Sequence, residues 1–361
     1  MASVAKRPDG RWRARYRDEA GKEHSRHFTR KVDGQRWLDE VTAAVVGGTY
    51  VDPKTARTTV SQWCDTWLEG YRTNRGSTVR QAEVHLKQIT AAFGPLQLSA
   101  VRPSHVKAWT SKLKADGAAD SYVYALHARL GQVFGDAVHD GILPRSPVSR
   151  RTSPGAGKQR PYVASTAQVW ALHDAVPEHM RVAVLLGAFA GLRTAEAVAL
   201  RVGDVDFMRG IVKPAVQWPD VELKTKTSRT PVPIPAELAL TLSASVAAFP
   251  SSTGRLVTDG RGGAAGPWMV DRAVRRARTQ VEGLPEGFRF HDLRHYLASL
   301  LIASGADVKV VQARLRHASA TTTLNTYAHL WPDSDESTRA AVGAVLAARA
   351  DSLRTAGGAS A

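Results

Sequence analysis

The sequence predicts a multidomain protein: a small β-sheet plus helix N-terminal domain, an all-α second domain, and a mainly α (α+β) third domain of catalytic size. Three observations predict it. The chain has 361 residues, enough for two or three domains at roughly 100–200 residues each. The hydropathy period changes from two near the N-terminus to 3.6 over most of the remainder. A basic stretch rich in proline and glycine then divides the chain before its midpoint. With 43% hydrophobic and 23% charged residues, each domain has the composition of an ordinary globular fold.

The elements follow in order. RWRARYRDEAGKEHSRHF, at 11–28, alternates basic or polar with apolar residues around the turn DEAGKE, which predicts a β-hairpin. Residues 31–46 then take helical spacing at Trp37, Val41 and Val45 before the breaker GGTYVDPKT. This is a β-β-α unit, and 1–55 is the first domain. Four helical patterns follow in 56–150, with starts at Thr58, Ser77 and Ser104 and stops at Gly94, Gly117 and Gly141. The segment LPRSPVSRRTSPGAGKQRPY carries four prolines and five basic residues and is expected to pack no core, so 151–165 is a basic linker. The third domain, 166–361, is mainly helical with a small β insertion at 204–235. No internal repeat of fixed period occurs.

Charge narrows the function. Lys plus Arg number 49 against 33 Asp plus Glu, a net +16, and such an excess implies a polyanionic partner, nucleic acid before a membrane surface. Counted by segment, the excess is +4 over 1–55, +8 over 56–160 and +4 over 161–361. The longest nearly apolar run, 182–192, is eleven residues, far short of the ~20 needed to span a bilayer. MASVAKRPDGRWRARYR has no apolar stretch behind its charges, so a secretory signal is not expected and the cytoplasm is the expected compartment. A single cysteine, Cys64, allows neither an internal disulfide nor a cysteine-built metal site.

Several residues in the third domain suit phosphodiester chemistry: Arg193, Lys224, His291, Arg294, His317 and Tyr327. Each alone has an ordinary structural explanation. Together, two guanidiniums can grip non-bridging phosphate oxygens and neutralise charge that builds in the transition state. A tyrosine hydroxyl can attack phosphorus and store the bond as a phosphotyrosyl ester, while lysine and histidine handle protons. No metal or other cofactor is needed. His291 and His295 stand at zinc-chelating spacing, but HDLRH lacks the glutamate base of a zinc hydrolase and no acidic cluster would hold magnesium. A DNA-binding regulator would explain the charge but not this residue set.

These segments resemble the tyrosine site-specific recombinases, the phage integrase family. GLRTAEAVALRVGDVDF resembles the first arginine box, with Arg193 and the supporting Glu196; LKTKTSRTPVPIP resembles the lysine hairpin, with Lys224 the best match and Lys226 its competitor; HDLRHYLASLLIASGADVKVVQARLRHASATTTLNTYAHL resembles the second box, with His291, Arg294, His317 and the nucleophile Tyr327. The resemblance implies a helical, SAM-like core-binding domain over 56–150 and an arm-binding domain over 1–55. It implies double-stranded DNA attachment sites of core and arm type as partners, a tetramer on DNA, a host DNA-bending protein and an excision factor. Localisation would be the bacterial host cytoplasm, at the nucleoid, and the element a phage or another integrative element. Arg11, Arg13, Arg15 and Arg17 share one strand face by period two and are expected to touch DNA. The apolar stripe Val342, Val345 and Leu346 in the tail would dock on a neighbouring protomer or on its own domain.

Two departures stand out. Arg316 occupies the position before the second histidine where the family usually has glycine, and Ala195 replaces a glycine beside Glu196. Neither is expected to remove a functional group. His295 is expected to pack or to support the site from behind, and His329 to end a helix. A type IB topoisomerase shares the chemistry, but the N-terminal domain and small size favour recombination, and a chromosome-dimer-resolving enzyme would normally lack 1–55.

Overall fold

Strand pairing begins earlier than the sequence pattern indicates. Three antiparallel strands, β1 (Ser3–Lys6), β2 (Trp12–Arg17) and β3 (Glu23–Phe28), lie in the order β1-β2-β3. The expected hairpin is therefore a three-stranded sheet, because the four residues SVAK pair with 12–15 across the Gly10 turn (φ +79°). Helix α1 (Lys31–Val46) covers one face. Ala14, Tyr16 and Leu38 are buried there, with Val4, Phe28, Trp37 and Val41 packed around them. Gly34 makes this close approach possible, since a Cβ there would sit 3.3 Å from Phe28 and 3.5 Å from Ala14.

The computed structural model describes residues 2–17, 21–47, 57–157, 161–223, 226–331, 342 and 344–346. It divides into two compact units, Met1–Lys158 and Gln159–Ala361. In the first, α2 (Val60–Tyr71), α3 (Gly76–Phe93), α4 (Pro103–Ala115) and α5 (Asp120–His139) enclose a core that includes Val60, Trp63, Trp67, Ile89, Phe93, Leu130 and Phe134. Thr59 starts α2 with a capping box: its hydroxyl accepts from Gln62 N–H and the Gln62 side chain accepts from Thr59 N–H. Trp63 Nε1 donates to the Val133 carbonyl at 2.8 Å, which ties α2 to α5. The proline-rich stretch, expected to pack no core, packs one in its first half. Leu143 joins the helical core, Val148 packs against it, and Thr152 is buried with its hydroxyl 2.9 Å from His127 Nε2.

The second unit carries α6 (Thr166–Ala175), α7 (Glu178–Phe189), the short α8 (Thr194–Ala197), α9 (Ala236–Ala248), α10 (Pro267–Ala277), α11 (Asp292–Ala303), α12 (Val308–Arg314) and α13 (Ala320–Tyr327). Helix α7 is apolar on nearly every side, burying eight of its twelve residues, as expected of a helix with neighbours all round. It packs against α6, α9 and α11. The β insertion forms two pieces: β4 (Val205–Asp206), β5 (Ile211–Val212) and β8 (Val232–Pro233) in one sheet, and a hairpin of β6 (Val216–Gln217) with β7 (Val221–Glu222). Among the described residues no helix is long and apolar enough to cross a membrane. Val342, Val345 and Leu346 are exposed, and 332–341, 343 and 347–361 lie outside the described residues.

Candidate active site

The site assembles at the ends of α7, α11, α12 and α13. After α7 the chain turns through Gly191 (φ +61°), whose left-handed backbone favours glycine. An added Cβ there would come within 2.8 Å of Leu297. This turn places Arg193 at the start of α8, where the Glu196 carboxylate accepts both the Arg193 backbone N–H (3.1 Å) and its Nη1–H (2.8 Å). Arg193 remains partly exposed (39% of its side chain) while Glu196 is buried.

Arg294 lies in the first turn of α11 and is 1% exposed. Its Nη1 donates to the Gly191 carbonyl, so the first and second boxes are joined directly. Its Nη2 is buried with no hydrogen-bond partner in the protein, although a buried donor normally finds one. Burial, helped by the nearby Arg193 and Arg316 cations, pulls its pKa down to about 9, which still leaves it charged at neutral pH.

Helix α12 ends in a left-handed residue, Arg316 (φ +52°), which delivers His317 to the site. His317 Nδ1 bonds Thr323 Oγ1 at 2.9 Å, leaving Nε2 as the nitrogen available to a substrate. Ser319 caps α13 by accepting from Thr322 N–H, and that helix ends on Tyr327. The Tyr327 ring is 1% exposed, packed with Leu297, Ile302, Val311 and Leu315 and stacked near His317 at a centroid distance of 6.4 Å. Burial pushes its hydroxyl up to about 12 despite the Arg294 cation.

His295 is packed, with 14% of its side chain exposed, and its Nδ1 lies 2.6 Å from the Tyr327 hydroxyl, a contact that the sequence does not indicate. Asp292 stands 3.8 Å from Nε2 of the same ring. With the ring proton on Nε2, facing Asp292, Tyr327 O–H donates to Nδ1. His291 keeps an exposed face and meets His295 edge-on at 5.3 Å. Burial first, then neighbouring positive charge, holds His291, His295 and His317 down to about 4, so all three rings are neutral at pH 7.

Arg316 is the larger correction. It does more than stand in for glycine: its guanidinium is buried, with Nη2 2.5 Å from Glu196 Oε2 and Nη1 2.7 Å from the Ser228 carbonyl. Burial alone would raise Glu196, but the Arg316 and Arg193 cations outweigh it and hold the carboxylate below its ordinary range. The signal that could have found Arg316 was its presence where a turn favours glycine. Lys224 lies outside the described residues, and Lys226 opens the turn Lys226–Arg229.

Of the N-terminal arginines, Arg13, Arg15 and Arg17 alternate with the buried Ala14 and Tyr16 on β2, so they share the face opposite α1. Arg11 precedes the strand, a correction to the four-residue stripe. Glu23 on β3 pairs with Arg13 at 2.9 Å and Arg15 at 3.7 Å, which tempers the charge of that face. Among the described residues no group of three or more His, Cys, Asp or Glu is arranged to hold a metal ion.

The phage integrase family matches at residues 165–333, and the phage integrase N-terminal domain at residues 2–47. The chain is similar to tyrosine recombinase XerC of Methylobacterium nodulans, 28% identical over 285 residues, covering 71% of this chain and 85% of the relative. In fold it is similar to the Tn1549 transposon integrase in complex with transposon right end DNA, with a TM-score of 0.68, 18% identity, and coverage of 80% of this chain and all of that one. It is likewise similar to the lambda integrase tetramer bound to a Holliday junction, with a TM-score of 0.61, 19% identity and coverage of 88% and 96%. Two matched domains spanning well over half of the sequence, together with this fold, make the chain a member of the phage integrase family and a tyrosine recombinase.

Proposed function

We propose that the protein is an integrase that joins the DNA of a phage or other mobile element to a host chromosome by site-specific recombination. The observation that carries the chemistry is the buried Arg294 Nη2, a cationic donor without a protein partner, near enough to Tyr327 and His317 for its charge to act on both. An anion that supplies the missing acceptor is a phosphate of the DNA backbone. In this reading Arg193 and Arg294 clamp the scissile phosphate, and Glu196 orients Arg193. Tyr327 Oη bonds to phosphorus as the P–O5′ bond breaks, leaving a 3′-phosphotyrosine. The tyrosine proton leaves toward the imidazoles around it, and Lys224 or Lys226 protonates the departing 5′ oxygen. His291 and His317 hydrogen-bond the phosphate. The free 5′-hydroxyl of one strand then attacks the phosphotyrosine of its partner, which produces a Holliday junction, and a second pair of exchanges resolves it. Neither metal nor ATP is needed, because each cleavage conserves a phosphoester.

The integrative reading rests on the N-terminal sheet domain, matched at 2–47. Arg13, Arg15 and Arg17 on its open face would contact arm-site DNA, and 56–150 the core site. A dimer-resolving role is the second reading, favoured by the similarity to XerC. We further propose a tetramer on DNA, with the C-terminal stripe docking between protomers, helped by a host DNA-bending protein and an excision factor in the bacterial cytoplasm. The test is a nicked suicide substrate carrying a candidate attachment site, in EDTA. Wild type is expected to form a covalent protein–DNA band on a denaturing gel and Tyr327→Phe none; a band that needs divalent metal or survives Tyr327→Phe overturns the assignment. Strand exchange between phage- or element-type and host-type sites, against exchange between two chromosomal sites, separates integration from dimer resolution.

A further inference from the structure

Arg316 lies in the left-handed region at φ +52°, where glycine is at ease and a long side chain is not. The turn itself asks for no side chain: the Arg316 N–H bonds the Ala313 carbonyl at 3.0 Å, as any residue's would. What the side chain adds is a bridge. Its fully buried guanidinium donates from Nη1 to the Ser228 carbonyl at 2.7 Å and from Nη2 to Glu196 at 2.5 Å. The other oxygen of Glu196 accepts Nη1 of Arg193 at 2.8 Å. Ser228 belongs to the turn Lys226–Arg229, immediately beyond the two candidate lysines. One side chain thus links Arg193, through Glu196, to the turn that follows the candidate lysines. A planar fork with several donors can hold a carbonyl and a carboxylate together.

We propose that Arg316 is a positioning residue that pins the lysine segment against the Arg193–Glu196 pair, so that the lysine ammonium meets the departing 5′ oxygen. This rests on reading Tyr327 as nucleophile and Lys224 or Lys226 as acid. In cleavage the Tyr327 O–P bond forms, the P–O5′ bond breaks, and the lysine proton passes to O5′. Loss of Arg316 therefore slows that proton transfer. A substrate whose bridging 5′ oxygen is sulfur loses a thiolate, far less basic than an alkoxide, and needs no such proton.

The experiment compares single-turnover covalent-complex formation on oxygen-bridged and sulfur-bridged suicide substrates for wild type, Arg316→Gly, Lys224→Ala, Lys226→Ala and Tyr327→Phe, all as the full chain. Thermal unfolding and duplex binding are followed in parallel. Arg316→Gly is expected to cleave the oxygen substrate at least tenfold more slowly than wild type, to bind DNA equally well, and to recover to within about threefold of wild type on the sulfur substrate. A folded Arg316→Gly protein that cleaves the oxygen substrate at the wild-type rate overturns the inference, as does a defect that sulfur leaves in place. Should Arg316→Gly fold poorly, Arg316→Lys, which keeps the charge but not the fork, is read on the same criteria. If neither lysine variant is rescued by sulfur, or Tyr327→Phe still cleaves, the underlying reading has failed; if a lysine variant is rescued and the Arg316 variants are not, only this inference has.

Discussion

Two histidines flank the Tyr327 ring, and they hold different things. His317 is fixed by Thr323 and presents Nε2, whereas His295 reaches the tyrosine hydroxyl itself at 2.6 Å. His295→Ala is expected to slow covalent-complex formation by about 10²-fold, the usual loss when a proton-handling group is removed, with DNA binding unchanged; gel-trapped cleavage rates check it. Neutral rings at pH 7 also set a pH dependence. Because burial holds His295 and His317 down to about 4 in the folded chain against about 6.5 unfolded, the unfolded state binds more protons between those values. Stability therefore falls as pH drops through the window from about 6.5 to about 4, by roughly 1–2 kcal/mol per ring between pH 7 and pH 5, and the unfolding temperature measured at both pH values checks the sign. At this scale residue type, motif order and the family resemblance single out Arg193, Arg294, His317 and Tyr327, and the fold brings their elements together. The His295 contact and the Arg316 bridge are not legible in the sequence, since each depends on which way a side chain turns once its element is packed.

The elements carry these groups through their ends. The turn at Gly191 joins α7 to α8 and offers its carbonyl to Arg294. Gly191→Ala forces a Cβ to within 2.8 Å of Leu297 at φ +61°, so it is expected to destabilise the fold by about 1–3 kcal/mol and to cut cleavage more than DNA binding. Denaturant unfolding together with trapped-complex yield measures both. Arg316 lies in the same backbone region and keeps about 1–2 kcal/mol of strain, so Arg316→Gly is expected to relax the turn while uncovering Glu196. Helix ends in 56–150 are readable because glycine stops are local, and Thr59 caps α2 one residue beyond the predicted start; Ser77 and Ser104 instead lie in the first turns of α3 and α4, whose N-caps, Arg75 and Arg102, make no side-chain cap bond. The first strand was missed because SVAK is too short to show a period of its own, and it exists through pairing with β2. The prolines after residue 142 predict a segment free of the core, yet Val148 and Thr152 find apolar or hydrogen-bonding partners across α5.

Across the whole molecule, separate clusters of buried residues form around Tyr16 and Leu38, around Trp63 and Phe134, and around α7. A chain lacking 1–55 is therefore expected to keep Tyr327-dependent cleavage of a core-site suicide substrate while losing arm-site binding. Its log Kd should then vary less steeply with log salt, by about 0.9 for each phosphate contact removed, which titrations from 50 to 200 mM salt would measure. The net charge of +16, the changes of hydropathy period and the order of the motifs are properties of the chain in one dimension, and by themselves they determine the order of sheet and helical segments, the demand for a polyanionic partner and the family. Tertiary structure alone decided that Arg294 spans to Gly191, that Tyr327 rests against His295, and that Arg316 joins Glu196 to the lysine segment. These contacts cross 103, 32 and 120 positions of sequence, and at such separations only the packing of helix against helix determines which polar groups meet.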